Sequence, residues 1–373
     1  MFTLDSFKSA VENKKEIREV VKEDYIVFDY MISLKDTFDS IESRNARGIA
    51  FSPVTKKIIS LPYDKFHNLN ECPGWMEADI NMADPHVVLE KLDGSMIRTI
   101  DMGGGWYRLG TRAGITDVSI KAENYLESCT EKCQDNYFKF IMNVIQTGYT
   151  AIFEYCAPDN QIVIYYDQPQ LILTGVRCNE TGTYHEYGPT LELARYYGIP
   201  CVKQISNETT TIGELAEIVK PWPVDEGVIV RFDSGKMVKI KCLQYVILHR
   251  ALDGLRFEKD VLEMIITNKL DDVLSIVDET MRNRLTDYSE YVLTNIQSYV
   301  SITTKNFESI RSKTTDKKEF AAIVSKLART KDYFLMYDGK FDINASIIKN
   351  CSSQTTVESI RDIIGTKTFY QFN

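Results

Sequence analysis

Hydrophobic and polar positions follow one pattern up to about residue 241 and a different one after it. In the first part, short apolar runs alternate with polar and turn residues, and a few stretches have helical spacing. The predicted strands cover residues 26–28, 48–51, 151–156, 171–176 and 227–232, and the predicted helices cover 119–144, 190–197 and 212–219. From residue 245 onward, apolar residues recur every three or four positions. The pattern predicts an α+β domain followed by a small all-α domain, with bounds at 1–247 and 248–373.

Composition narrows the class of protein. With 373 residues, 44% hydrophobic and 26% charged, the chain is typical of a globular protein. No apolar run reaches the roughly eighteen residues of a membrane span, and the N-terminal segment has no apolar signal-peptide core. We therefore expect a cytoplasmic protein without membrane contact. The eight cysteines and four histidines form no zinc-binding pattern, so any metal would be bound by oxygen.

The net charge of −9 argues against a uniformly basic surface. Residues 256–373 contain seventeen Lys or Arg and seventeen Asp or Glu, so the negative excess lies in the first two thirds of the chain. Proteins that bind nucleic acid without sequence preference usually have a basic face. Any phosphate chemistry must therefore depend on local groups of lysines and arginines.

The segment Lys91-Leu92-Asp93-Gly94-Ser95 lies between two apolar runs. Asp-Gly is a strong signal for a β-hairpin turn, which predicts that the Lys91 amine lies at the rim of a sheet. A lysine held in that way can act as a nucleophile. The alternative is a solvated lysine in a surface turn, because short motifs recur by chance.

Two further strands carry charges on one face. In residues 237–242, the two-residue period places Lys239 and Lys241 together, which favours a bound anion but also fits a solvated edge strand. In residues 151–156, Glu154 shares a face with apolar neighbours, where a carboxylate needs hydrogen bonds or a cation. A hydroxylated ligand or a structural salt bridge would satisfy Glu154. The chain contains no P-loop, GxGxxG, GxSxG or HExxH motif.

Several motifs in order resemble those of covalent nucleotidyltransferases, the superfamily of ATP-dependent ligases and mRNA capping enzymes. They are Lys91-Leu-Asp-Gly-Ser95, Phe153-Glu154-Tyr155, Leu171 to Arg177, Asp225-Glu226-Gly227-Val228 and Lys239-Ile-Lys241. The details Phe28-Asp-Tyr30, Ala46 to Ile49, Lys65 to Glu71 and Lys239 to Tyr245 are similar to the bacteriophage RNA ligase 1 family. The resemblance covers about the first 250 residues. It implies an ATP-grasp-like adenylation domain of antiparallel sheets with flanking helices, followed by an all-helical domain that confers RNA specificity.

The resemblance implies that Lys91 attacks the α-phosphate of ATP and forms a lysyl-AMP. Lys239 and Lys241 are implied as catalytic too, since their charges would lower the pKa of the Lys91 amine and stabilise the transition state. Tyr30 would lie against the adenosine and Glu154 would bind the ribose. The complete implied set of nucleotide-binding residues is Tyr30, Arg47, Lys65, Gly94, Arg112, Glu154, Glu226, Gly227, Lys239, Lys241 and Tyr245.

The implied metal is Mg²⁺, with Mn²⁺ as a substitute. Glu226 is one candidate ligand, and Asp271 with Asp272 resembles an acidic pair that is linked to metal in the family. A favourable interaction of that pair with the dipole of a helix N-terminus is the alternative.

The implied function is ATP-dependent joining of 5′-phosphate and 3′-hydroxyl RNA ends. We expect repair of cleaved tRNA anticodon loops by a monomer that works with a polynucleotide kinase/phosphatase, in the cytoplasm of the host cell if the chain is encoded by a bacteriophage. The alternatives are a DNA ligase or capping-type guanylyltransferase, and an inactive RNA-binding relative. The first two normally continue into an OB barrel after the double-lysine strand, whereas the pattern here continues as helix.

Overall fold

The computed structural model describes residues 2–34, 36–223, 225–274, 277 and 279–372. Inside the helices, the side chains of Arg250, Ala251, Asp271 and Asp272 lie outside this description. The chain divides into two compact units, Met1–Ile247 and Leu248–Asn373. The first unit is mixed α+β and the described part of the second is helical, so the predicted α+β class with a helical C-terminal region is confirmed.

The strands of the first unit form three four-stranded sheets, with orders β1-β2-β3-β4, β10-β9-β7-β8 and β5-β12-β11-β6. We call them the first, second and third sheet. Their strands are β1 Ile17–Val21, β2 Ile26–Tyr30, β3 Arg47–Phe51, β4 Ile58–Ser60, β5 His67–Asn68, β6 His86–Glu90, β7 Ser95–Gly103, β8 Trp106–Gly110, β9 Tyr149–Cys156, β10 Gln170–Cys178, β11 Gly227–Phe232 and β12 Met237–Lys241. All neighbours pair antiparallel except β5 and β12, which are parallel. The expectation of purely antiparallel sheets was wrong at that pair.

The helices begin with α1 Leu4–Val11, α2 Ile41–Asn45, α3 Asp117–Ser128, α4 Glu131–Gln146, α5 Tyr187–Tyr197 and α6 Ile212–Val219. They continue with α7 Leu243–Gly254, α8 Glu258–Ile266, α9 Leu270–Leu274, α10 Glu279–Lys313, α11 Lys317–Val324, α12 Thr330–Tyr337, α13 Ile343–Ser353 and α14 Arg361–Ile364. The single helix predicted over 119–144 is two helices. The break lies at Cys129 and Thr130, where the Thr130 hydroxyl accepts a hydrogen bond from the Cys133 amide and begins α4 as its N-cap.

Each sheet buries one face against apolar side chains. Helix α1 covers the first sheet, where Phe7 packs against Phe28 with ring centroids 4.9 Å apart. Helices α3, α4 and α5 cover the second sheet, and Phe140 of α4 meets Phe153 of β9 at 6.0 Å. Phe153 points to that core, so the alternation of β9 sends its neighbour Glu154 to the opposite face.

The predicted hairpin at Asp93-Gly94 was wrong. Strand β6 belongs to the third sheet and β7 to the second, so residues 91–94 form a crossing between two sheets. The strand pairings explain this result, because β6 pairs with β11 and β7 pairs with β9. Lys91 therefore lies between two sheets and not at the rim of one.

The helical unit has its own core and a buried polar group. Leu285, Tyr288 and Val292 of α10 are fully buried in that core. The Glu258 carboxylate accepts hydrogen bonds from the Tyr288 hydroxyl at 2.7 Å and from the Arg361 guanidinium at 2.8 and 2.5 Å. Charged partners of this kind offset the cost of burying a carboxylate. None of the described helices is both long and apolar enough to cross a membrane.

Candidate active site

A cavity of about 240 Å³ lies between the second and third sheets. The third sheet contributes side chains from β6, β11 and β12, and the second contributes Met96, Glu154 and Thr174. Among the predicted site residues, those that line the cavity are Arg47, Lys91, Gly94, Glu154 and Lys239. The structure thus brings together residues that lie up to 192 positions apart, from 47 to 239.

The crossing that carries Lys91 is anchored by the aspartate two residues later. The Asp93 carboxylate is 2% exposed and accepts hydrogen bonds from the amides of Val163 and Ile164, at 2.8 and 2.6 Å, and from the Tyr245 hydroxyl at 2.7 Å. At the other end of the crossing, the Lys91 amide donates to the Gly227 carbonyl at 2.9 Å. The backbone of Lys91 is therefore fixed to both the third sheet and the neighbouring loop.

Two glycines are required by close backbone approaches. A Cβ on Gly94 would lie 2.4 Å from the Tyr155 carbonyl oxygen, which no side chain permits. Gly227 has a φ of 138°, and a Cβ there would lie 2.0 Å from the Ile240 carbonyl oxygen. Both glycines let the segment of Lys91 and the start of β11 lie close to the strands that carry the other charged groups.

Glu226 connects two of the predicted catalytic lysines. Its carboxylate is 3% exposed and lies 2.5 Å from the Lys91 amine and 2.9 Å from the Lys241 amine. Burial by itself raises the pKa of Glu226, but the Lys91 and Lys241 ammonium groups outweigh burial and hold it below the usual value. The carboxylate therefore stays charged and orients both amines. Lys241 also lies 4.8 Å from the ring centre of Tyr245, the remaining predicted residue on this side.

Lys239 has a strongly perturbed amine. Burial lowers its pKa well below the ordinary value, and the charges of Arg47, Lys91, Lys65 and Lys241 lower it further. Its ammonium lies 4.4 Å from the centre of the Phe66 ring. Strand β12 is flanked by β5 and β11, so these lysines are not on the solvated edge strand that was the alternative. A cluster of cations with one carboxylate favours a bound anion.

Glu154 faces the same cavity from the second sheet. Burial raises the pKa of its carboxyl group to about 7, although the Lys91 ammonium acts in the opposite direction. The nearby Glu226 and Asp93 carboxylates add to the increase. The Glu154 carboxyl group thus faces the cavity and has a pKa near neutral pH. It can accept a hydrogen bond from a ligand or donate one to it.

Three predicted site residues form a separate group near the first sheet. The Arg112 guanidinium lies 4.0 Å from the ring centre of Tyr30 and pairs with the buried Asp29 at 3.1 Å. Lys65 lies 5.8 Å from the same ring and 5.1 Å from that of Phe38. In the described part of the chain, Tyr30, Lys65 and Arg112 are not among the residues that line the cavity. Their roles toward a nucleotide stay predictions.

The metal ligands also stay predictions. The Asp271 and Asp272 side chains lie outside the described residues. Within the described residues, no group of three or more His, Cys, Asp or Glu side chains could hold a metal ion. Glu226 contacts the Lys91 and Lys241 amines and Glu154 lines the cavity, and Mg²⁺ is often held by one or two carboxylates together with substrate phosphates and water.

Sequence reasoning missed several residues of the site. Asp93 was interpreted as a turn residue, whereas it anchors the crossing. Tyr63, Phe66 and Arg231 line the cavity and were not predicted. The alternation of β11 could have identified Arg231, because it shares a face with Gly227 and Ile229. Tyr63 lies on an irregular segment, where no periodicity indicates which way a side chain points.

Comparison with known proteins places this site in a family. A family model described as RNA ligase matches residues 45–245, more than half of the chain. A protein of Thermovibrio ammonificans that is provisionally named an RNA ligase is 29% identical over 284 residues, which cover 74% of this chain and 72% of that protein. The RNA ligase of Rhodothermus phage RM378 is 27% identical over 376 positions, which cover 80% and 84%.

Two more distant similarities complete the comparison. A protein of Autographa californica nuclear polyhedrosis virus, provisionally named a bifunctional polynucleotide kinase/RNA ligase, is 25% identical over 284 residues, covering 70% of this chain and 39% of that protein. A solved archaeal ATP-dependent RNA ligase has a TM-score of 0.47 and 15% identity, covering 66% of this chain and 63% of that one. The chain thus spans less than two thirds of the archaeal structure, a similarity too distant to bear on function.

The matched segment contains Lys91, Glu154, Glu226 and both lysines of β12, which makes the protein a ligase-class enzyme. More specifically, the chain belongs to the RNA ligase family of the bacteriophage RNA ligase 1 type. The resemblance identified from the sequence motifs is confirmed.

The raised pKa of Glu154 predicts a pH-dependent stability difference. The pKa of Glu154 is 4.5 in the unfolded chain and about 7 in the folded protein. Between these two pH values, the native protein holds a proton that the unfolded chain has released. The free energy of unfolding therefore falls as the pH rises through this range. Glu154→Gln removes this loss. Its free energy of unfolding should therefore rise relative to wild type between pH 5 and pH 8, by at most about 3 kcal/mol, since each pKa unit is worth about 1.4 kcal/mol.

Urea denaturation at the two pH values measures this difference. Asp135→Asn, at an exposed acid of α4 paired with Lys139, is the control and should show little change with pH. A Glu154→Gln difference that is the same at pH 5 and pH 8 would contradict the raised pKa.

Proposed function

We propose that this protein is an ATP-dependent RNA ligase that uses Lys91 as a covalent AMP carrier. In the first step, the Lys91 amine attacks the α-phosphorus of ATP, a nitrogen–phosphorus bond forms, and the bond to pyrophosphate breaks. AMP then moves to a 5′-phosphate on RNA. Finally, a 3′-hydroxyl attacks that 5′-phosphate, joins the ends and releases AMP. The observation that carries the proposal is the Lys91 amine held by Glu226 inside a cavity with further cations.

The first step requires the Lys91 amine to lose a proton. Glu226 Oε2 lies 2.5 Å from that amine and accepts its hydrogen bond, so the charged carboxylate orients the amine. Lys239 and Arg47 line the same cavity, and Lys241 shares the Glu226 carboxylate. As negative charge builds on the phosphate oxygens, these three cations stabilise it without rearrangement, because the strands already hold them in place.

The carboxyl groups present suit a divalent cation that is bound mainly through phosphate and water. Glu226 and Glu154 are the residues of this cavity region that would hold Mg²⁺ or Mn²⁺, and the Asp271 and Asp272 pair is a separate candidate. The ion would neutralise charge on the ATP phosphates. Glu154 is also suited to a ribose hydroxyl, since its carboxyl group faces the cavity from the second sheet.

The proposed substrate is structured RNA with a break, such as a tRNA cleaved in its anticodon loop. Splayed single-stranded ends are accessible to local aromatic and cationic contacts, of the kind that Tyr30, Phe38, Lys65 and Arg112 could make. The helical unit would select the RNA, and the protein would act as a monomer in the cytoplasm. The kinase/ligase name of the viral relative supports coupling to an enzyme that prepares 5′-phosphate and 3′-hydroxyl ends.

Labelling with a radioactive nucleotide tests the first step. Wild type incubated with α-labelled ATP should retain the label on a denaturing gel, and α-labelled GTP should give little. Lys91→Ala should abolish the label, because no other group replaces a covalent nucleophile. Lys132→Ala, at an exposed lysine of α4, is the matched control and should label like wild type.

Labelling by GTP alone would contradict the proposal and favour a guanylyltransferase. A protein that binds cleaved tRNA but takes up no label from either nucleotide would instead be an inactive RNA-binding relative.

A panel of acceptors tests the second part of the proposal. We expect wild type to seal cleaved tRNA at least about tenfold faster than linear single-stranded RNA, since a rate ratio of ten needs only about 1.4 kcal/mol of additional transition-state binding. Nicked duplex DNA should not be sealed. Equal rates on both RNAs would remove the tRNA assignment and leave the ligase assignment intact, whereas efficient sealing of nicked DNA would make the protein a DNA ligase.

A further inference from the structure

Residues of two paired strands, β11 and β12, line the cavity. Gly227, Ile229 and Arg231 alternate onto one face of β11, and their partners on β12 are Lys241, Lys239 and Met237. Four residues of an extended strand span about 13 Å. The end at Gly227 holds Lys91, Glu226 and Lys241, and the end at Arg231 holds none of these charges. The two ends are therefore chemically different.

Arg231 is the polar group at the far end. It is only 4% exposed, yet it lines the cavity. Its Nη2 donates to the His185 carbonyl oxygen, and its guanidinium lies 5.6 Å from the ring centre of Tyr184, so the side chain is fixed in direction. Its Nη1 has no hydrogen-bond partner among the residues that the structure describes. A buried donor without a partner is costly and is rarely kept without a reason.

The surroundings of Arg231 favour a flat, mostly apolar ligand. Leu89, Val202, Ile229 and Met237 line the cavity together with it. Ligand pockets of this type combine apolar walls with a few fixed polar groups that set orientation. A phosphate would find several cations around Lys91, whereas Arg231 brings a single cation here. A nucleobase fits this end better, because its faces are apolar and its ring nitrogens accept hydrogen bonds.

We propose that Arg231 is a base-recognition residue, whose Nη1 donates a hydrogen bond to a ring nitrogen of the base of the bound nucleotide. The inference rests on the proposed function, since it takes ATP as the nucleotide and Lys91 as the point where its α-phosphate lies. It extends that function by identifying how the far end of the cavity recognises the base. Arg231 makes no contact with the reacting phosphate and acts on nucleotide binding.

Analogues of ATP in which one ring nitrogen is replaced by a C–H group test this assignment. The rate of Lys91 labelling is measured with ATP and with its 1-deaza, 3-deaza and 7-deaza analogues, for wild type and for Arg231→Met. In wild type, one analogue should raise KM about tenfold or more relative to ATP, because it leaves the buried donor unpaired, while kcat changes little. In Arg231→Met, ATP and that analogue should have the same KM.

Arg195→Met is the same substitution at an exposed arginine of α5. This variant should show the same increase in KM for the analogue, relative to ATP, as wild type. The proposal is overturned if wild type discriminates against none of the three analogues, a result that needs no variant to fold. It is equally overturned if Arg231→Met shows the same increase in KM for the analogue as wild type. Should ATP form no adduct at all, the proposed function fails, and the same comparison is made on Kd by calorimetry. Absence of ATP binding there would reject both.

Discussion

One buried carboxylate, that of Glu226, balances the positive charge on which this site depends. Lys91 and Arg47 come from separate segments and Lys239 and Lys241 from strand β12, and like charges at such short range repel one another. Glu226 lies between two of them at hydrogen-bond distance. Without that partner, the cluster would be stable only with an anion bound. With it, the cations stay in place for an incoming nucleotide phosphate.

The backbone around Glu226 is built to keep this arrangement. Glu226 immediately precedes β11, and its own carbonyl accepts a hydrogen bond from the Cys242 amide, just after β12. Gly227 allows the two strands to approach closely, and Asp93 ties the crossing that carries Lys91 to a loop and to Tyr245. Lys91, its carboxylate partner Glu226 and Lys241 therefore lie on three neighbouring segments, which strand pairing and buried hydrogen bonds hold together.

Much of this could be predicted from sequence, for reasons specific to each element. The two-residue period of β12 predicted that Lys239 and Lys241 share a face, as they do. The two-residue period of β9 predicted that Glu154 lies on the face opposite Phe153, which is the face toward the cavity. The crossing at Lys91 could not be predicted, because Asp-Gly supports a hairpin locally and only the long-range pairing of β6 and β7 decides otherwise. The position of Tyr30 outside the cavity lining could not be predicted either, since the alternation of β2 does not indicate which sheets enclose the cavity.

The claim that Lys91 is the nucleophile has a direct test, because three lysines converge on the site and burial lowers the pKa of Lys239 well below its ordinary value. Wild type is incubated with ATP and Mg²⁺ and digested under conditions that preserve a phosphoramidate, and the modified peptide is sequenced by mass spectrometry. The structure predicts a mass increase of one AMP on Lys91 alone. An adduct on Lys239 or Lys241 instead would contradict the role given to Glu226 and to the crossing that presents Lys91.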